Sequence, residues 1–324
     1  MTEQETEQKL VLSIVLPVYN EQDNVNELHR EIDEALSGLG IGYEIIYVDD
    51  GSSDLTLERL KKLQQRDSHV VALELRRNFG QTAAMSAGFD HARGDIIVTM
   101  DADRQNDPRD IPKLLDKIGE GYDMVAGWRY DRKDGFLLRR LPSQLANKLI
   151  SWTTDVKLHD YGCTLKAFKS EVIKQISLYG EMHRFIPAIA SWVGVRIAEV
   201  KVNHRPRVAG TSKYGISRTF RVILDLITVK FLLSYSSRPL QFFGAIGLIS
   251  LGLGFLIGLV LTVEKLFFGM GLQDRPILLL AVLLVFIGLQ FITTGLLGEM
   301  ITRTYHESQD KPIYTVREIY RQGA

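Results

Sequence analysis

Two stretches near the C-terminal end constrain this chain more than any other feature. Leu240 to Val263 runs 24 residues, and Ile277 to Gly298 runs 22 residues, without a charged side chain. At about 1.5 Å per helical residue, either one is long enough to cross a hydrocarbon layer roughly 30 Å thick. A helix in a soluble core is rarely apolar on every face over such a length. The pattern predicts two transmembrane helices within 238–299, at about 240–263 and 277–298. Pro239 and Pro276 stand just before them, where a missing N–H costs little. Lys230 and Arg238 precede the first stretch, and Arg303, Lys311, Arg317 and Arg321 follow the second. The connector, Glu264 to Pro276, is short and balanced in charge. By the positive-inside rule the protein is multi-pass in the plasma (inner) membrane, with both termini cytoplasmic and 300–324 a cytoplasmic tail. Met1 to Leu10 is polar, so no cleaved signal peptide is expected. Gly254 and Gly258 form a GxxxG that suits a helix contact.

The remaining residues read as soluble. A formal net charge of zero points to no partner, and no nucleic acid is expected. The single cysteine, Cys163, excludes an internal disulfide and reads as a small buried residue. Apolar runs occur at Leu12–Pro17, Glu44–Asp49, Val70–Leu75, Asp95–Met100 and Met124–Gly127. Helical patterns separate them at Asn24–Leu36, Leu55–Gln65, Thr82–Ala92 and Pro108–Gly119, with Asp54 as a cap for the second. Near-continuous apolar strands alternating with helices predict an α/β domain over 1–212, its sheet mostly parallel and covered on both faces. Residues 136–160 and 213–237 mix apolar side chains with Arg139, Arg140, Lys148, Arg218, Arg221 and Lys230. They suit amphipathic helices on an anionic membrane surface, or helices packed on a core.

In a parallel sheet, ligands bind beyond the carboxyl ends of the strands, and three polar clusters fall there. Pro17-Val18-Tyr19-Asn20-Glu21 offers an apolar wall for a nucleobase, with Glu21 able to accept from ribose hydroxyls; Asn20 or Asp23 equally suits a helix cap. Val48-Asp49-Asp50-Gly51-Ser52 suits either a base edge or a local turn network. Asp101-Ala102-Asp103-Arg104-Gln105 presents two carboxylates two residues apart, a hard-cation arrangement for Mg²⁺ or Mn²⁺. Such a metal stabilises a diphosphate leaving group. Asp-x-Asp alone is a weak motif; three acidic clusters at strand ends of one sheet are much stronger.

These motifs, with Arg77-Asn78-Phe79-Gly80, Asp160-Tyr161-Gly162-Cys163, His183-Arg184-Phe185, Gly210-Thr211-Ser212-Lys213-Tyr214 and Leu297-Gly298-Glu299, resemble the inverting family 2 glycosyltransferases of GT-A fold. The likeness is closest to the polyprenyl-phosphate branch and covers nearly the whole chain. It implies a Rossmann-like GT-A domain, a nucleotide diphosphate sugar donor, a polyprenyl phosphate acceptor in the bilayer, and a homo-oligomer such as a tetramer. It assigns Pro17, Tyr19, Glu21, Val48 and Asp50 to the nucleoside, and Asp101, Ala102 and Asp103 to the metal and diphosphate, with Gln105 nearby. Arg129 reaches a donor phosphate or the acceptor. Arg139 or Arg140 meets the lipid phosphate, and Arg207 and Lys213 close over the diphosphate. The basic residues suit a solvated face as well. The chain departs from the usual pattern where Arg104 replaces a common Leu and Asp107 a common Pro. His183 and His204 read as structural or substrate-side groups rather than metal ligands.

The implied reaction is attack of a lipid phosphate oxygen on the anomeric carbon, opposite the nucleotide. The acceptor is already an anion, so a general base matters little; Asp160 is the carboxylate to assist or orient it, or else it is structural. Uridine diphosphate glucose is the expected donor. A processive polysaccharide synthase is a weaker reading, because such enzymes share only the first 105 residues and their Gln-x-x-Arg-Trp motif is missing here. A non-catalytic nucleotide-binding scaffold sits badly with intact Asp50, Asp101 and Asp103.

Overall fold

The computed structural model describes residues 10–130, 156, 158–176, 178, 182–192, 194–206, 239–269, 271, 275–308 and 312–322. The chain divides into two compact units, 1–226 with 312–324, and 227–311. The predicted amphipathic segment 213–237 lies outside the described residues, as does 136–160 except for 156 and 158–160.

The first unit is an α/β domain around one sheet. Its order of elements begins β1 (Leu10–Val18), α1 (Val25–Leu36), β2 (Gly42–Asp49), α2 (Thr56–Arg66), β3 (Val70–Leu75), α3 (Gln81–His91) and β4 (Ile96–Thr99). It continues through α4 (Ile111–Gly119), β5 (Met124–Trp128), β6 (Lys166–Lys169), α5 (Ser170–Ile173), α6 (Ile186–Trp192) and β7 (Ile197–Lys201). The eight strands run β7-β5-β6-β4-β1-β2-β3-β8, where β8 is Val316–Tyr320. Strands β3, β2, β1 and β4 are parallel neighbours, and β6 and β8 run against their partners. The sheet is mostly parallel, as the apolar runs predict. Every residue of β3 is buried, as parallel strands covered on both faces require.

The chain winds outward through β1, β2 and β3, then returns to place β4 on the other side of β1. That reversal opens a crevice at the carboxyl ends of β4 and β1. Helix α3 lies close to the sheet because Gly88 faces Val15; an added Cβ would come within 2.2 Å of its Cγ1. Gly51 has φ +69 and an added Cβ there would meet the Arg77 carbonyl carbon at 2.6 Å, so only glycine fits.

Strand β8 departs from the expected tail. It lies within 300–324 but pairs antiparallel with β3, with Ala72 opposite Tyr320 and Leu75 opposite Val316. Glu74 holds it by accepting from Arg317 at 3.0 Å and from the Tyr320 hydroxyl at 2.8 Å. An edge strand needs only one apolar neighbour, so charged residues mask it in sequence.

The second unit contains α7 (Pro239–Phe268) and α8 (Pro276–Ser308), each opening on its proline. Phe243–Phe268 and Pro276–Gly298 are long and apolar enough to cross a membrane, and few of their residues are buried. This is the pattern of a membrane protein. The helices pack antiparallel on a glycine seam: a Cβ at Gly247 would meet the Gly288 carbonyl oxygen at 2.7 Å, and one at Gly254 the Ala281 carbonyl oxygen at 2.7 Å. Ser250 donates to the Leu284 carbonyl at 2.9 Å beside that seam. Gly254 of the GxxxG is therefore used within the chain, while Gly258 meets nothing within 4 Å. Arg275 pairs with Glu264 at 2.5 Å across the connector.

Candidate active site

The loops after β1 and β2 are stitched together by side chains. Asn20 takes a left-handed backbone, φ 54, and its Oδ1 accepts from the Ser53 N–H at 2.8 Å. Its own N–H donates to Ser52 Oγ at 3.0 Å. The Glu21 N–H donates to Thr56 Oγ1 at 2.9 Å, and Glu21 Oε2 accepts from Asn24 Nδ2 at 2.6 Å. Asn24, rather than Asn20 or Asp23, stands at the N-cap of α1, and its side chain makes no capping bond. Asp54 Oδ1 accepts from the Thr56 N–H at 3.0 Å, serving the start of α2 as expected. The result is a rigid wall on which Tyr19 stands 38% exposed. Pro17 pairs in register with Val48, whose side chain is wholly buried in the sheet.

Asp50 spends both oxygens on the loop after β3, accepting from the Phe79 N–H at 2.7 Å and the Gly80 N–H at 2.9 Å. Of the two readings open for this cluster, the geometry displays the local network. Asp49 accepts from the Ser52 N–H at 3.2 Å, and its other oxygen has no partner among the described residues.

The loop after β4 carries Asp101 and Asp103. Asp101 Oδ1 accepts from Gln81 Nε2 at 2.8 Å, and its N–H donates to Asn106 Oδ1 at 3.4 Å. Asp103 Oδ1 accepts from the Gln105 N–H at 3.1 Å. Between them in the turn, Arg104 has φ +61, a conformation that costs an L-residue about 1–2 kcal/mol. Ala102 and Asp103 are buried. Burial, and then the charge of Asp103, push the Asp101 carboxyl up to about 6, against the pull of Thr164, Arg129 and Lys166.

Arg129, just past β5, grips Asp160 in a bidentate pair, Nε to Oδ2 at 2.6 Å and Nη2 to Oδ1 at 2.9 Å. The Gly162 N–H donates to Asp160 Oδ1 at 3.1 Å. Burial opposes the Arg129 charge, but Asp160 outweighs it and raises the guanidinium's pKa. The Asp160 N–H in turn donates to Glu199 Oε1 at 3.0 Å. Lys166 is almost completely buried and donates to the carbonyls of Cys163 and Tyr161; burial lowers its pKa. Arg129 and Lys166 both act electrostatically on Asp101, so the two halves of the site form one field.

Gln81, Asn106, Thr164 and Lys166 were not among the residues expected from sequence. Only Lys166 left a signal, as the one charge in the run Cys163–Phe168. Arg139, Arg140, Arg207 and Lys213 lie outside the described residues. Cys163 is buried, and burial pushes its thiol up to about 11. His183 is buried against Thr82, Nδ1 to Oγ1 at 2.8 Å, and burial holds its pKa down to about 3.

The two departures from the family pattern meet in one ion network. Arg104 Nη2 donates to Glu31 Oε1 at 2.6 Å, and Arg205 Nη1 to Glu31 Oε2 at 2.7 Å. Arg205 Nη2 also reaches Asp107 Oδ1 at 2.6 Å, and Arg109 pairs with the same carboxylate at 2.9 Å. Burial raises the Asp107 carboxyl, but these arginines prevail and hold it at about 2.

Residues 13–177 match the family described as Glycosyl transferase family 2. The chain is 49% identical over 317 residues to a dodecaprenyl-phosphate galacturonate synthase of Rhizobium johnstonii, covering 97% of this chain and 94% of that one. It is 42% identical over 313 residues to an undecaprenyl-phosphate 4-deoxy-4-formamido-L-arabinose transferase of Klebsiella pneumoniae, covering 96% and 94%. Among solved structures, a glucosyl-3-phosphoglycerate synthase of Mycobacterium tuberculosis with Mn²⁺, uridine diphosphate and phosphoglyceric acid aligns at TM-score 0.55 and 19% identity over 70% of this chain and 80% of that one. A mannosyl-3-phosphoglycerate synthase of Rubrobacter xylanophilus aligns at TM-score 0.55 and 19% identity over 68% and 74%. At that identity the likeness establishes the GT-A fold. With the family match and two near full-length relatives, the chain belongs to glycosyltransferase family 2, among its polyprenyl-phosphate sugar transferases.

Proposed function

We propose that this enzyme moves a sugar, galacturonate in first place, from uridine diphosphate to a polyprenyl phosphate at the cytoplasmic face of the inner membrane. What supports the reading is that acidic clusters follow three neighbouring parallel strands, β4, β1 and β2, in a chain that resembles such transferases along its whole length. Glucose, expected from sequence, yields first place because the 49% relative is named for galacturonate and the 42% relative for a formamido-arabinose.

Asp101 and Asp103 fit a divalent cation by the chemistry of the donor set: two hard carboxylates, one half-buried and one buried, whose mutual repulsion a cation relieves. Among the described residues no third carboxylate, histidine or cysteine joins them, which leaves room for diphosphate oxygens. Mn²⁺ comes first by likeness to the solved neighbour, with Mg²⁺ as the other candidate. When bound, the cation neutralises the leaving diphosphate. Tyr19 and Glu21 line the nucleoside end, and Asp50 sets the Phe79–Gly80 backbone beside it. Arg129, aimed by Asp160, meets the anionic acceptor or the donor phosphate. With its carboxylate committed to Arg129, Asp160 acts by orientation and not as a base. The phosphate oxygen attacks the anomeric carbon from the face opposite the nucleotide and inverts it. Membrane helices tether this chemistry to its lipid substrate and raise the acceptor's effective concentration.

The test is purified protein with undecaprenyl phosphate and a panel of nucleotide sugars. Lipid-linked product from uridine diphosphate galacturonic acid is expected. Product from the glucose donor alone overturns the sugar, and no lipid-linked product from any donor overturns the reaction.

A further inference from the structure

Two distant segments converge on the Asp101–Asp107 loop. Glu31 comes from α1, Arg104 from the loop itself, and Arg205 from the segment after β7. That last segment also pairs by backbone: the Arg205 N–H donates to the Gln105 carbonyl at 3.0 Å, and Asn106 bridges antiparallel to His204. The left-handed backbone at Arg104 turns the chain so that the Gln105 N–H reaches back to Asp103 Oδ1. The Arg104 backbone does not favour that turn, and its guanidinium bonds a carboxylate 73 residues away, beside the backbone bonds at Gln105 and Asn106. The Glu31 side chain is 14% exposed and the Arg104 side chain 18%, so water screens the pair weakly.

We propose that Glu31 is a positioning residue for the metal loop. Through Arg104 and Arg205 it locks the turn that aims the Asp103 carboxylate beside Asp101. Glu31 itself touches neither donor nor acceptor. The inference rests on the reading of Asp101 and Asp103 as the cation's ligands. It adds that their alignment is set from α1, outside the crevice.

The experiment is a calorimetric Mn²⁺ titration of the purified full-length chain in detergent, with uridine diphosphate present and melting curves run in parallel. Glu31→Gln is expected to weaken Mn²⁺ binding by up to about 10-fold, the low end of what loss of a ligand's own hydrogen-bond partner costs, because Glu31 acts one step further out. In transfer assays the same variant should raise the Mn²⁺ concentration needed for half-maximal rate, while the rate at saturating Mn²⁺ stays near wild type. Arg104→Ala should match it. Arg104→Gly should bind Mn²⁺ close to wild type, because glycine takes the left-handed turn unaided. The double variant Glu31→Gln with Arg104→Gly should recover in the same way. Where Glu31→Gln does not fold, the contrast of Arg104→Ala with Arg104→Gly decides. Wild-type Mn²⁺ affinity in Glu31→Gln, or equal weakening in the alanine and glycine variants, overturns the proposal. A folded wild-type chain with no Mn²⁺ affinity overturns the metal reading itself, a result distinct from either.

Discussion

The two units of this protein solve opposite problems. In the α/β unit, charge is inside and held: Asp160, 4% exposed, pairs with Arg129, and Lys166, 2% exposed, donates to two backbone carbonyls. In the helical pair, apolar surface is outside: Phe255 is 69% exposed and Phe286 68%. Water could not tolerate the second surface over two whole helices, and hydrocarbon could not tolerate unpaired charge. The contrast teaches that each unit is built for a different solvent. Its contacts follow suit, ion pairs and carboxylate–amide bonds in one, glycine-to-backbone approach in the other.

Substitutions that respect or violate those rules put the contrast under strain. The largest effect should come from Asp103→Asn. Transfer of labelled sugar to lipid should fall roughly 10²- to 10³-fold with melting unchanged, as when a group stabilising developing charge is lost. Next, Asp160→Ala leaves the Arg129 guanidinium buried without its partner. It should destabilise the α/β unit by about 3–5 kcal/mol in urea unfolding. Gly254→Leu should cost about 1–3 kcal/mol in detergent melting by forcing the helices apart. Gly258→Leu, facing open space, should be near neutral. Equal effects at both glycines would break the picture of a glycine seam.

A pH test addresses the buried histidine. His183 titrates near 3 when folded against a usual 6.5, so the unfolded chain binds the extra proton as pH falls. Stability contributed by its neutral form is complete above about 6.5 and is lost as pH falls toward 3. Between pH 7 and 5 the loss should be roughly 2 kcal/mol, and His183→Gln should flatten that slope. Smallest of all, Arg30→Ala breaks only the exposed pairs with Glu27 and Glu34 and should leave melting unchanged.

The parts legible in sequence are those whose signal is local. Strands β1 to β5 and helices α1 to α4 announce themselves because a doubly covered parallel strand must be apolar along its length. Strand β8 is hidden because Arg317 and Glu318 look like a solvated tail; its meaning depends on Glu74, far back in the chain. The acidic clusters were legible because topology carries strand ends to one edge. Gln81 and Glu31 were not, since each acquires its role from a partner on another element, and Lys166 showed only as the one charge in an otherwise uncharged run. The histidines show the same division. Their lack of metal spacing was readable, but the burial of His183 against Thr82 was not.

The most direct test of the central claim is calorimetric binding of uridine diphosphate to the full-length protein, with and without Mn²⁺. If the Asp101–Asp103 pair joins nucleotide to cation, binding should require the metal and vanish in Asp103→Asn. Equal uridine diphosphate affinity in the absence of metal, or in that variant, would contradict the account.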